Sequence, residues 1–367
     1  MTMKRVSYIA DRAVLLDSGV QVFDVNVNTP ITSIWCLFEA TNGATSNVAN
    51  NLAQCIQAIE LIDGSEVLYS LPGDMALALA AYQKREFPYQ GFTELPGNPW
   101  ELNIPLYFGR WLDDESLAFD PTHFSNPQVR IRWNLAAVRA VGATGFVTGS
   151  MRVSLIAELL EGIAAPVGML MSKVWQTWVT AVGATQYTPL PVDYPYRSMT
   201  VQAYLTGHTL DDVIDRWKID CDNNKYVPID ELVLHSLFRL RNDGQSFHYR
   251  HVFHVGDTMT IYPVLKYEES VALQSEDLTD VVYQYNNFGM GEGAVRVFRA
   301  GVAFGAHTNC GAGITGTAPF SCIHYNFGED SDPNTWFNPT LYKSVRSEIR
   351  GHQVAPASIA LTQLRPY

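Results

Sequence analysis

The sequence predicts an all-β protein made of two β-sandwiches in tandem, with short helices inserted between strands. Three observations carry the prediction. Most of the chain reads as short β-branched and aromatic segments punctuated by Pro, Gly and Asn. Its 367 residues are comfortable for two domains. Pro30 to Gly43 also matches Pro195 to Gly207 in spacing and apolar pattern, which is an internal repeat.

The elements follow in order. "VQVFDVNVNTP" sets Val20, Val22, Asp24 and Asn26 against Gln21, Phe23, Val25 and Val27, the period of two that a strand requires. "ITSIWCLFEATNG", "PQVRIRWNL", "GSMRVSLIAELLEG", "HVGDTMTIYPVLKY" and "GAVRVFRAGVAFG" have the same residue types. Helical spacing interrupts them twice. Val48, Leu52, Cys55 and Ile56 fall on one face behind Ser46 as N-cap, and Asp74 to Tyr82 follows Pro72-Gly73.

The two copies predict the same succession. A strand ends at Gly43 or Gly207 and a short helix follows. A strand then enters a tight turn at Asp63-Gly64 or Asn223-Asn224, where Asn, Asp and Gly tolerate positive φ. A second helix is expected to open on Asp74 or Asp230. The seam belongs between Gly168 and Gly183, giving an N-terminal arm over 1–18, a first sandwich over 19–175 and a second over 176–367.

Composition excludes several classes of function. Apolar residues make up 47% and charged residues 17%, so the chain can bury a large core or extensive surface between subunits. The net charge is −12, and basic residues are adjacent only at Lys4-Arg5 and Lys84-Arg85, so direct nucleic-acid binding is not expected. Cys36, Cys55, Cys221, Cys310 and Cys322 form no CxxC pair and are read as reduced thiols of a cytoplasmic protein. No apolar run reaches the ~18 residues that span a bilayer, and the N-terminus has no secretory apolar region, so a soluble product is expected.

No motif carries catalysis. His248, His251 and His254 are three apart, but on a strand His251 faces away from the other two and no single ion reaches all three. Asp330, Asp332 and Asn334 have the spacing of the first calcium-loop ligands, yet Thr335 stands where that loop needs Gly and Leu341 where it needs Glu. Gly289 to Val295 lacks the GK[ST] ending and the helix of a phosphate loop. There is no GxSxG elbow, HExxH or nucleophilic Cys signature. Asp113, Asp114, Glu115 and Asp120 lack an apolar pocket that would raise one of their pKa values, so a solvated turn is favoured over paired catalytic carboxylates. Arg110, set between Gly109 and Trp111, needs a partner if buried, and Asp113, Asp114 and Asp120 are the bidentate candidates. No catalytic, cofactor or metal residue is assigned.

"IELIDGSEVLYSLPGDMALALAAY", "NIPLYFGRWLDDESLAFDPTHFSNPQVRIRWN" and "LPVDYPYRSMTVQAYLTG" occur in this order. Together they resemble the double-jelly-roll major capsid proteins of tailless icosahedral bacterial and archaeal viruses with an internal membrane. The resemblance covers Gly19 to Gly207, and the remainder by architecture. It implies two tandem eight-stranded jelly rolls with short inserted helices, standing side by side. Three chains would form a pseudo-hexagonal homotrimer that tiles a virion shell. Neighbouring capsomers, vertex and minor capsid proteins, and the internal membrane are the implied partners.

In that setting the loop from Phe87 to Trp100 and the Gly-rich stretch from Gly301 to Pro319 are expected to decorate the surface or wrap onto neighbours. Lys4, Arg5 and Arg12 place the arm against anionic headgroups or a neighbouring capsomer, with a frayed terminus as the alternative. Two other functions suit the same sandwich class. One is a carbohydrate-binding or carbohydrate-active protein stacking sugars on Trp35, Trp100, Trp111 and Trp336; the other is a virion receptor-binding component.

Overall fold

The computed structural model describes residues 3–43, 51–91, 94–136, 145–255, 258–275, 281–285, 294–300 and 308–367. The first half contains β1 (Met3–Val14), β2 (Ser18–Asp24), β3 (Ile31–Thr41), α1 (Leu52–Cys55), β4 (Ile56–Asp63), β5 (Glu66–Leu71), α2 (Gly73–Lys84), β6 (Gln90–Gly91), β7 (Pro99–Tyr107), β8 (Pro127–Asn134) and β9 (Arg152–Glu161). The second opens with β10 (Gly168–Val179), β11 (Thr185–Pro189), β12 (Tyr196–Ala203), α3 (Leu210–Val213), β13 (Ile214–Cys221), β14 (Tyr226–Leu232) and α4 (Val233–Asn242). An insert follows: β15 (Phe247–Val255), β16 (Thr258–Ile261), β17 (Leu265–Ser275), β18 (Val281–Tyr285), β19 (Val295–Ala300) and β20 (Thr308–Pro319). The chain closes with β21 (Cys322–Asn326), β22 (Val345–Gly351) and β23 (Pro356–Pro366).

Setting aside the two-residue β6, the first eight strands pair in the orders β1-β9-β3-β7 and β2-β8-β4-β5. Setting aside the insert, the second eight pair as β10-β23-β12-β21 and β11-β22-β13-β14, which is the same wiring. Each set is a jelly roll, so the chain is all-β in class with two tandem eight-stranded rolls and, among the described residues, four short helices. The helices match too: α1 and α3 join the third strand to the fourth, and α2 and α4 join the fifth to the sixth. The repeat seen in the sequence is therefore a repeat of connectivity.

The rolls share one sheet. β5 of the first runs parallel to β10 of the second through the Ser70–Lys173 pair, giving the eight-stranded order β2-β8-β4-β5-β10-β23-β12-β21. One contiguous apolar core runs through both rolls. The turn residues behave as their chemistry predicts, with φ of 59° at Gly64, 56° at Asn223 and 63° at Asn224.

Several expectations are corrected. The segment read as an arm over 1–18 holds β1, an edge strand paired with β9 from Met3 to Val14. Its basic residues, which had suggested headgroup contact, are engaged by carboxylates: Lys4 by Asp113, Arg5 by Glu161 and Arg12 by Glu39. The seam placed between residues 175 and 176 falls inside β10. Asp74 lies in the first turn of α2, but Asp230 lies in β14 and pairs with Arg216, because the alternation of "YVPIDEL" continues to Leu232 before α4 begins. Ser46 and Val48 lie outside the described residues; α1 is capped by Asn51, whose Oδ1 accepts from the Ala53 N–H at 2.9 Å.

The Gly-rich stretch is not a surface decoration where it is described. Residues 301–307 lie outside the described set, and Thr308–Pro319 forms β20, the middle strand between β15 and β17. Its small residues admit bulky partners from β15: a Cβ at Gly311 would meet the Arg250 guanidinium at 2.7 Å, and one at Gly313 the His248 ring at 3.3 Å. The Phe87–Trp100 loop is mixed where it is described: Tyr89 is 72% exposed, while Glu94 is buried against His251 at 2.7 Å.

Candidate assembly surfaces and the junction between the rolls

Just past the end of β7, Gly109-Arg110 makes the junction between the rolls. Arg110 donates from Nε to Asp114 Oδ2 at 2.7 Å and from Nη2 to Oδ1 at 2.8 Å, the bidentate geometry of a guanidinium on a carboxylate. Asp114 is thus the partner among the three candidates. Asp113 engages Lys4, and Asp120 caps the turn that follows. Burial opposes ionisation of Asp114, but hydrogen bonds from the Arg110 side chain and from the Arg110 and Ser116 backbones outweigh it and hold the carboxyl below its usual range.

This pair reaches across to the second roll. Arg110 Nη1 donates to the Ser331 carbonyl at 2.7 Å, and Arg197 Nη2 donates to the Arg110 carbonyl and to Asp330 Oδ1, each at 3.3 Å. Burial lowers the pKa of Arg197, and Asp330 acts in the opposite direction. Backbone bonds from Val167 to Ser116, Ala118 to Gly168 and Leu170 to Phe108 lace the same place. Leu117, Leu170 and Trp336 form a small apolar cluster beneath it.

The segments on either side of this junction are themselves a repeat, which sequence reading missed. Phe108-Gly109 corresponds to Phe327-Gly328, and Phe119-Asp120-Pro121-Thr122 to Phe337-Asn338-Pro339-Thr340. Asp120 Oδ1 accepts from the Thr122 N–H at 3.0 Å and Oγ1 at 2.7 Å, and Asn338 Oδ1 accepts from the same atoms of Thr340 at 3.1 and 2.7 Å. Each residue caps a single 3₁₀ turn opened by proline. Phe119 then bridges Ile31 and Phe337 bridges Tyr196, at the starts of the third strands β3 and β12. The signal was present as F-[DN]-P-T, at a place where the apolar pattern alone says nothing.

The remaining chemical candidates are not brought together. His248 bonds Thr315 Oγ1 at 3.0 Å, while His251 is buried against Glu94 and Tyr249; the His254 side chain lies outside the described residues. Asp332 Oδ1 accepts from the Asn334 N–H at 3.0 Å, forming a capped turn beside the Arg197–Asp330 pair. Residues 289–293 of the Gly-rich turn lie outside the described set. Trp100 and Trp336 are buried, Trp35 packs edge-on against Tyr107, and the exposed Trp111 carries the Arg110 guanidinium 4.4 Å from its ring centre, so the four do not make a sugar platform. The five thiols are buried and unbridged, and burial pushes Cys221 up to about 11.

The two rolls differ in what they leave exposed. Helix α2 is buried from Gly73 to Tyr82. Tyr82 donates to the Cys322 carbonyl at 2.8 Å and stacks on His324 of the second roll, with ring centres 5.0 Å apart. Its counterpart α4 buries only Val233, Ser236, Leu237 and Leu240. Phe238, edge-on to Tyr267, is left 42% exposed, and β14 leaves Leu232 at 42% and Tyr226 at 47%. In the first roll, β1, β2 and their connection expose Val6, Val14, Leu16, Val20 and Val22.

No family model and no curated protein matches the chain. Solved structures do match over its full length. The major capsid protein P2 from Bacteriophage PM2 matches with a TM-score of 0.57 at 9% identity, covering 100% of this chain and 98% of that one. The PBCV-1 virus capsid matches with a TM-score of 0.57 at 10% identity, covering 99% and 94%. The atomic structure of Sulfolobus Turreted Icosahedral Virus matches with a TM-score of 0.58 at 11% identity, covering 98% and 90%. The chain therefore has the fold of double-jelly-roll viral major capsid proteins.

Proposed function

We propose that the chain is a major capsid protein that closes into head-to-tail trimers tiling an icosahedral virion shell. The carrying observation is the unequal cover of two equivalent helices. Helix α2 is buried and anchored on the second roll through Tyr82, while α4 leaves Phe238 exposed and the preceding β14 leaves Tyr226 and Leu232 exposed. A second copy bringing the exposed β1–β2 edge of its first roll against α4 and β14 would extend the roll-beside-roll arrangement already made inside the chain. Such a contact is heterologous, and three chains supply the six rolls of a closed ring.

The role is structural rather than enzymatic, and the chain's place is the virion. Other proteins fill the vertices in this reading, and a lipid layer lies beneath the shell. No described helix is long and apolar enough to cross a membrane. Lys4, Arg5 and Arg12 are ion-paired, so lipid contact is not assigned to them. Light scattering coupled to size exclusion at two concentrations tests the association. A mass near three times the 40.9 kDa chain that persists on dilution is expected, and a monomer at both concentrations overturns the reading.

A further inference from the structure

The shared sheet opens at one end. β5 and β10 share one ladder pair, Ser70–Lys173, beside a bond from the Lys173 ammonium to the Val67 carbonyl at 3.0 Å, and β10 carries a register shift between Val174 and Gln176. Past that point the strands diverge and leave a groove of about 660 Å³, within the range of ligand sites. Its walls come from the ends of six consecutive strands, β8, β4, β5, β10, β23 and β12. At about 4.8 Å per strand spacing the groove crosses roughly 24 Å, the span of an extended ligand rather than a compact one.

The lining chemistry is selective. Trp178 supplies a partly exposed ring, as does Tyr204, which also carries the Lys266 ammonium 5.1 Å from its ring centre; Gln57, Gln202, Thr177 and Thr206 supply amides and hydroxyls. Gln202 is held in place by its bond to the Phe320 carbonyl at 3.0 Å. Among the described residues of the lining Arg132 is the one cation and none is a carboxylate, although the chain carries a net charge of −12. Two residues earlier on β8, Arg130 is paired with Glu60 at 2.7 Å; Arg132 makes no ion pair among the described residues.

We propose that this groove binds an extended saccharide bearing a carboxylate, with Trp178 and Tyr204 against sugar faces, the amides and hydroxyls on ring hydroxyls, and Arg132 on the acid group. Aromatic faces interleaved with neutral hydrogen-bonding groups suit sugars. A nucleic acid would require several cations where the groove offers one. The inference is independent of the capsid reading.

The test is saturation-transfer NMR on the full chain with a uronic-acid-containing tetrasaccharide and the same tetrasaccharide after reduction of its carboxyl groups. Transfer to the acidic sugar is expected, with affinity at least tenfold above that of the neutral one. Arg132→Gln, a change at an exposed side chain, should bring the acidic sugar down to the neutral level without moving the melting temperature. Trp178→Leu should abolish binding of both. Absence of transfer to the acidic sugar, or equal affinities unaltered by Arg132→Gln, overturns the proposal.

Discussion

At the scale of the residue, buried charge decides where the rolls can be weakened. Asp114 is 1% exposed and faces Arg110 at 13%, so removing the carboxylate leaves a guanidinium without its counter-charge. Asp114→Asn should cost about 3 kcal/mol, read by urea titration. The folded carboxyl titrates below its unfolded value of about 3.9, so its contribution is complete above that pH and fades as the pH falls further. The acid limb of the stability profile should accordingly flatten below about pH 4 in the variant. His324 behaves differently. Burial lowers its pKa to about 4 from 6.5, so the unfolded chain binds the extra proton first. Stability is complete above about pH 6.5 and declines towards pH 4, by about 3 kcal/mol at one and a third kcal/mol per pKa unit. Because the ring accepts or donates at Thr200 and Asn326, each 2.8 Å away, and stacks on Tyr82, a melting series of His324→Gln against the parent should lose its slope across this window. An unchanged slope would assign the titration elsewhere.

At the scale of the element, glycines mark where the paired turns fold back on themselves. Gly328 sits at φ 73°, and a Cβ there would lie 2.3 Å from the Thr335 carbonyl oxygen; one at Gly109 would lie 2.5 Å from that of Leu117. Both obstacles are backbone and cannot swing aside. Gly328→Ala should therefore destabilise by at least about 2 kcal/mol, and more than Gly109→Ala, which bears no positive φ, as paired thermal melts would show. The same elements explain what could be read in advance. Strand alternation, the two turns at Asp63-Gly64 and Asn223-Asn224, and the paired helices were visible because each obeys a local rule. β1 was obscured because Arg12 takes φ 45° at an irregular register and breaks the alternation. β20 was obscured because its glycines answer Arg250 and His248, which lie about 60 residues away and leave no local trace. Arg110's need for a carboxylate was readable; its reach to Ser331 was not, since it depends on how the rolls meet.

At the scale of the whole molecule, the two rolls have the same wiring but different neighbours, and that asymmetry yields the most discriminating experiment. If α4 with Phe238 is one half of the association surface and β1–β2 with Leu16 the other, each chain carries two dissimilar halves. Phe238→Arg spoils one half and Leu16→Arg the other. Both positions are exposed, at 42% and 73%, so the isolated fold should survive each change. Alone, either variant lacks one partner surface at every contact and should run as a monomer. Mixed in equal amounts, the intact α4 face of the Leu16→Arg chain can meet the intact β1–β2 edge of the Phe238→Arg chain, while the opposite pairing joins two spoiled halves. One sound contact per pair gives a heterodimer and no closed ring. A self-complementary contact behaves otherwise, because like meets like and both faces of every mixed pair carry damage. Native mass of the mixture near twice the chain mass supports the heterologous ring, whereas trimers from either single variant remove these faces from the interface.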